Sequence, residues 1–305
     1  MRWTKLGRIF NSNGQQSWMV SHASVPTPEH IRDDLFRIYF SSRDVRNRSY
    51  IGYIVINLSK PQDILEISEK PALEPGALGA FDDSGAMCSW LLRRNGERIL
   101  YYIGWTLGIT VPWSTAIGIA YCSSTGPPVF ERRFNGPIIG RSICDPFFAA
   151  GPFVLEEGAI WRMWYLSGIG WAQGPKAPVP RYNLRYAESQ DGVGWQTTGR
   201  VCIDHKYPGE VAIARPCVIK DKDIYRMWFC YRGDDFGYKI GYAESFDGVT
   251  WERMDHQEGL EHSESGWDSE MTAYPCVFDH KGERYMLYCG NDYGATGFGL
   301  AVLQQ

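Results

Sequence analysis

Nowhere in the 305 residues does an apolar run approach the length needed to cross a bilayer, and residues 1 to 14 lack the apolar core of a secretory signal. Lysine and arginine are scattered and the net charge is −4, so the basic footprint of a nucleic-acid binder is missing. The eight cysteines form no CxxC pair and the six histidines show no ligand spacing, which removes the signatures of a disulfide framework and of a zinc site. Cysteines recur instead at matching positions, Cys217 with Cys276 and Cys230 with Cys289, as small buried apolar residues do. These absences leave a soluble chain, expected in the cytoplasm, without a membrane or nucleic-acid partner.

What is present is aromatic, glycine-rich and repetitive: 14% aromatic residues, 33 glycines and 44% hydrophobic residues. From Tyr225 to Arg253 two alternating runs, Tyr225 to Tyr231 and Tyr238 to Ala243, flank a Gly/Asp loop and lead to a Ser245-Phe246-Asp247-Gly248 turn and a Trp251 strand. The same order is spelled from Trp161 to Arg200. Aligned strand centres at Ile38, Ile99, Met163, Met227 and Met286 recur at intervals of 61, 64, 64 and 59 residues. A further apolar run introduces each unit, so the pattern predicts an all-β, five-bladed β-propeller with four antiparallel strands per blade, one domain over residues 1–305. The fifth unit stops after Gly299 to Leu303, while Trp3 to Ile9 matches the outer strand Trp195 to Val201. The N-terminus is therefore expected to supply the last blade's outer strand and close the ring.

Alternation along the strands separates two faces. The lower face receives the turns at Glu97, Glu156, Asp223 and Glu283, and the repeated Asp191-Gly192 and Asp247-Gly248 turns, in which the aspartate caps its own turn. The upper face receives acids just before each innermost strand: Asp82 and Asp83, Asp145, Glu210, and Asp268 with Glu270. The first blade offers Ser21-His22 instead. All these acids are expected to point into one funnel, where like charges raise one another's pKa. Loops above it carry Arg43, Trp105, Trp171, Arg232 and Asn291. Carboxylates beneath Trp, Tyr and Arg suit a sugar, which stacks on rings and hydrogen-bonds polar groups.

The acids at the starts of innermost strands and phrases such as YIGWTLGITVPW, RMWYLSG, EVAIARP, YKIGYAES and GFGLAV resemble the five-bladed propeller glycosidases over the whole chain. That group includes arabinanases, β-xylosidases, invertases, levansucrases and mannoside phosphorylases, and the likeness is greatest to predicted glycosylases associated with bacterial surface polysaccharide genes. The resemblance implies glycosidic-bond cleavage or transfer by an Asp, Asp, Glu set on successive blades. Because the first blade carries His22, the set is assigned by chemistry. Glu210, among the apolar residues of EVAIARP, is the general acid, Asp83 the base or nucleophile with Asp82 as alternate, Asp145 the orienting group, and Glu270 a second candidate acid. His22, Arg43, Trp105, Arg141, Arg215, Arg232, Asp268, Tyr274 and Asn291 are the substrate-binding candidates. Of these, His22, Arg141, Arg215 and Arg232 could hold phosphate or a sugar phosphate. No cofactor is required, and the central channel leaves room for a structural cation. Transfer from an activated sugar such as a nucleotide sugar, or sugar binding without turnover, are the alternatives. An Asp-box-like Ser245 to Trp251 also suggests a sialidase, against which stand five blades rather than six and a turn on the wrong face.

Overall fold

The computed structural model describes residues 2–124, 126–255 and 259–304. The first strand, β1 (Arg2–Phe10), is followed by a blade of β2 (Ser21–Arg32), β3 (Leu35–Arg43), β4 (Ser49–Asn57) and β5 (Lys60–Ile67). Blade two contains β6 (Gly85–Arg94), β7 (Glu97–Leu107) and β8 (Trp113–Cys122). Blade three contains β9 (Ala149–Glu157), β10 (Ile160–Ala172), β11 (Val179–Ser189) and β12 (Trp195–Ile203). Blade four contains β13 (Glu210–Asp221), β14 (Ile224–Gly233), β15 (Lys239–Ser245) and the two-residue β16 (Glu252–Arg253). Blade five contains β17 (Ala273–His280), β18 (Glu283–Cys289) and β19 (Phe298–Gln304), and β1 pairs antiparallel with β19 as its outer strand. The ring closes as the sequence predicts.

Blade two departs from the four-strand pattern. After β8 only isolated bridges, Tyr121 with Glu131 and Ile117 with Ile139, stand in for an outer strand among the described residues. Pro127, Pro128 and Pro137 interrupt this stretch, and proline cannot donate to a ladder. Elsewhere the turns obey local chemistry. Asn95-Gly96 and Lys281-Gly282 take φ values of 51° and 80°, and 49° and 83°, as tight hairpins with the twist of their strands require. Asp191 Oδ1 accepts from the amides of Val193 and Gly194, and Asp247 Oδ1 from those of Val249 and Thr250. These turns also join blades: Tyr101 donates to the Gly192 carbonyl and Trp164 to that of Gly248.

The aligned repeat residues Ile38, Ile99, Met163, Met227 and Met286 sit buried on the second strand of each blade. On the lower face an ion pair crosses every blade junction: Arg93 to Glu29, Arg94 to Glu156, Lys220 to Glu157, Arg284 to Asp221, and Lys281 to Asp34. The acidic turns of that face are thereby absorbed into the joints of the ring.

The innermost strands share one irregularity. Their pairing with the second strand skips between Ser24 and Thr27, Cys88 and Trp90, Ala214 and Cys217, Ala273 and Cys276, and opposite Gly151. Four of the five bulges precede a proline, Pro26, Pro152, Pro216 and Pro275, which has no amide hydrogen to pair. Val25, Gly151, Arg215 and Tyr274 accordingly adopt φ values of 53° to 56° at equivalent places.

Candidate functional site

Three of the expected axial acids do not face the funnel. Asp82 accepts from Tyr102 Oη at 2.9 Å and pairs with Arg132 at 2.7 Å. Asp145 accepts from Tyr165 Oη at 3.1 Å beside Arg185, and Asp268 accepts from Tyr288 Oη at 3.0 Å and from Lys5 at 2.7 Å. Each carboxylate is buried within its own blade against a tyrosine of the second strand and one cation. They lie six or seven residues upstream of the bulge, in the segment crossing the top of the blade, too early in the chain to reach the axis. Asp82, Asp145 and Asp268 therefore act as blade pins in this geometry.

Glu210 has a similar fate, and its environment differs from the apolar one read from EVAIARP. Its two oxygens receive Arg253 Nη1 at 2.9 Å and Nη2 at 2.8 Å, and the Lys206 amide donates to it at 2.6 Å. Arg253 also holds Asp255 at 2.7 Å. The counter-charge comes from β16, the last strand of the blade, and no local pattern announces it. Asp83 is half-buried, and although burial pulls its pKa upward, hydrogen bonds from Thr106, the Gly79 amide and Ser84 hold it below the ordinary value. Glu270 is exposed, with its amide bound to Asn291 Oδ1. Asn291 also binds Met271 and Gly266, so it shapes that loop. Trp105 packs across Gly85, where a Cβ would come within 2.0 Å of its indole nitrogen. Arg141 is exposed and donates to the Phe147 carbonyl.

The axis carries a guanidinium. Arg215 is 2% exposed and donates to Thr27 Oγ1 at 3.1 Å and to Ser89 Oγ at 3.4 Å, joining blade four to blades one and two. Among the described residues no carboxylate pairs with it and its Nε has no partner. Burial pushes the neighbouring Cys88, Cys230 and Cys289 thiols up to about 12, whereas at Cys276 burial is outweighed by a hydrogen bond with Cys217 and by the Arg215 charge, which hold it below the ordinary thiol value. No cluster of His, Cys, Asp or Glu with metal-holding geometry occurs among the described residues.

Near the axis His22, Arg43, Arg232 and Tyr274 of the sequence-based set cluster with Tyr182, Tyr238, Asp292 and Tyr293. His22, Tyr274, Asp292 and Tyr293 have φ of 63°, 54°, 49° and 58°. The Asn291–Gly294 turn is locked onto β2, with Ser24 Oγ donating to the Tyr293 carbonyl at 2.5 Å. Burial and the adjacent Arg43 charge lower the His22 pKa to about 4 against the opposing pull of Asp292, so the imidazole is neutral at pH 7. Its Nδ1 lies 3.0 Å from Ser21 Oγ. The Arg232 guanidinium sits 5.9 Å and 5.8 Å from the Tyr182 and Tyr238 rings, whose hydroxyls bond each other. Burial raises the pKa of Tyr182, Tyr238 and Tyr274, which keeps them neutral.

An aromatic wall continues from Tyr182. Its ring lies 6.0 Å from Phe148, which is 5.5 Å from Trp171, and Trp171 is 5.0 Å from Trp113. Tyr238 extends the wall the other way, 5.7 Å to Tyr274 and 6.0 Å to Tyr293. Four blades thus contribute rings to one aromatic cluster, in which Phe148, Tyr182 and Tyr238 are buried core and Trp113, Trp171 and Tyr293 remain partly open. A separate open groove of about 880 Å³ lies between β1 and residues 259 to 265 at the outer edge, lined by polar side chains.

No family model matches the sequence. Two uncharacterised proteins of Mycobacterium tuberculosis, MT1551 and Rv1502, are each 48% identical to it over 304 residues, covering all of both chains. The chain belongs to their family. Its fold is that of the propeller glycoside hydrolases. One glycoside hydrolase superposes with a TM-score of 0.75 at 17% identity, covering 99% of this chain and 91% of that one. A thermostable family-43 glycoside hydrolase gives 0.66 at 13% identity, with 96% and 91% covered. The Podospora anserina α-L-arabinofuranosidase PaAbf62A, solved with cellotriose, gives 0.69 at 10% identity, with 100% and 97% covered.

Proposed function

We propose that this protein acts on a carbohydrate held in the upper funnel, making or breaking a bond at its anomeric carbon. The observation that carries this reading is the meeting of three strained non-glycine residues, His22, Asp292 and Tyr293, beside Tyr274, whose left-handed backbone belongs to the proline bulge of its blade. Left-handed backbone at bulky residues costs of order 1–3 kcal/mol each and persists at ligand and catalytic sites. The partly open rings of Trp171, Trp113 and Tyr293 supply stacking surface, and Arg43 and Arg232 supply hydrogen bonds. The arabinofuranosidase solved with cellotriose supports the substrate class.

Hydrolysis or phosphorolysis calls for a proton donor and a base. Asp83, Glu270 and Asp292 are among the upper-face carboxylates left outside the buried ion pairs, with Asp234 and Asp235 exposed on the neighbouring loop. Transfer from an activated sugar is favoured by the pairing of Asp82, Asp145, Asp268 and Glu210, because a phosphate leaving group departs without protonation by a protein acid. A product screen against oligosaccharides, sugar phosphates and nucleotide sugars, with and without inorganic phosphate, separates these. His22→Asn and Asp292→Asn keep a residue that tolerates left-handed backbone, and are expected to lower turnover on the order of 100-fold. Loss of turnover only in Glu210→Gln, at unchanged stability, would return the acid role to Glu210. Absence of any carbohydrate binding or turnover would overturn the reading.

A further inference from the structure

Charge distinguishes this funnel from a site for a neutral sugar. Arg43, Arg232 and, beneath them, Arg215 face it, while Asp292 is the carboxylate beside Arg43 and His22. Among the described residues none of the three guanidinium groups has a carboxylate within ion-pair distance, although arginines elsewhere in the ring are paired repeatedly. Arg43 donates to Asn47 Oδ1 at 3.1 Å, and the Nε atoms of Arg215 and Arg232 are buried without a partner. Unpaired buried cationic donors are costly unless a ligand completes them. The tyrosines around them are neutral and His22 is neutral, so Asp292 is the carboxylate near the two upper guanidinium groups, while the buried Cys276 thiol lies beside Arg215 beneath.

We propose that the ligand of the funnel carries an anionic oxygen group, phosphate or carboxylate, which Arg43 and Arg232 grip at the foot of the aromatic wall above Arg215. This rests on the funnel being the carbohydrate site. Planar guanidinium groups bind phosphate and carboxylate through two parallel hydrogen bonds, and a dry tyrosine surround strengthens each of them. The partly open Trp171 and Trp113 rings then receive the sugar ring or a base attached to the anion.

Calorimetric titration of the full chain with glucose, glucose 1-phosphate, glucuronate and inorganic phosphate tests this at two salt concentrations. Anionic probes are expected to bind at least tenfold tighter than glucose, to weaken with salt, and to lose at least tenfold in Arg232→Gln. Arg43→Gln, at a half-buried side chain, supplies the second variant should Arg232→Gln fail to fold. Tight binding of inorganic phosphate alone identifies free phosphate as the occupant, whereas preference for glucose 1-phosphate or for glucuronate identifies the sugar's own group. Equal binding of glucose and its anionic forms, unchanged in both arginine variants but lost in Trp171→Ala, overturns the anionic ligand while keeping the funnel as a sugar site. Probe binding insensitive to Arg43→Gln, Arg232→Gln and Trp171→Ala alike removes the funnel reading and this inference with it.

Discussion

Arg215 on the fourth blade donates to Thr27 Oγ1 on the first at 3.1 Å, across the axis of the ring, with no carboxylate among the described residues to balance it. Arg253, also buried, holds two carboxylates, Glu210 and Asp255. The two arginines should therefore respond very differently to truncation. Arg253→Met leaves two buried carboxylates unpaired and is expected to cost about 3–5 kcal/mol. Arg215→Met leaves only hydroxyls, and Thr27 retains the Ser89 carbonyl as acceptor, so its cost should stay under about 2 kcal/mol. Urea unfolding of both variants checks the ordering.

The tyrosines that pin buried aspartates make a second prediction. Tyr102→Phe, Tyr165→Phe and Tyr288→Phe each remove one donor from a buried carboxylate and should each cost roughly 1–3 kcal/mol. Phe229 stands at the matching position of blade four, where no aspartate needs a hydroxyl, so the ring shape itself is accepted. Thermal melts should show the loss while carbohydrate binding in the funnel is retained.

The stability of the ring should depend on pH through His22. Its pKa is about 4 folded against 6.5 unfolded, so the unfolded chain takes up the proton first. The stability this residue permits is fully present above pH 6.5 and is lost as pH falls from 6.5 toward 4, and because the imidazole is only partly buried, solvent screening reduces the loss to roughly 1–2 kcal/mol. Carboxylates held low, such as Glu29 and Asp247, begin to lose their contribution only below their ordinary values of 4.5 and 3.8. Denaturant midpoints measured between pH 7 and 5 should therefore fall in the wild type and flatten in His22→Asn.

On the lower face, Glu29 accepts from Arg37, Arg93 and Arg98 at 2.9, 2.7 and 2.6 Å. Glu29→Gln leaves Arg37 and Arg98 nearly buried without their counter-charge, and the expected cost is about 3 kcal/mol. Glu156→Gln, whose partner Arg94 is exposed, should cost under about 1 kcal/mol. Comparing their unfolding free energies tests whether burial, rather than the number of ion pairs, sets the strength of a junction.

Much of the candidate site is legible in the sequence as residue type but not as direction. His22, Arg43, Arg232 and Tyr274 lie in one cluster of side chains. Asp82, Asp145 and Asp268 precede their innermost strands, which suggests an axial position, yet each is followed twenty residues later by its tyrosine, Tyr102, Tyr165 and Tyr288. That constant spacing is present in the sequence and is the signal that marks them as pins. Their cations follow no such rule: Arg132, Arg185 and Lys5 come from a loop, a third strand and the opposite terminus. The pairing of Glu210 with Arg253 is equally silent.

The sequence alone determined the architecture, because alternation of apolar residues, turn chemistry and a period near sixty residues are local properties that repeat. It also determined the closure of the ring, since a missing strand at one end and a spare one at the other admit one pairing. Which polar side chains face the funnel was decided only by the tertiary structure. A charged group goes wherever its counter-charge is nearest in space, and in a closed ring that partner arrives from another strand, another blade or the far end of the chain.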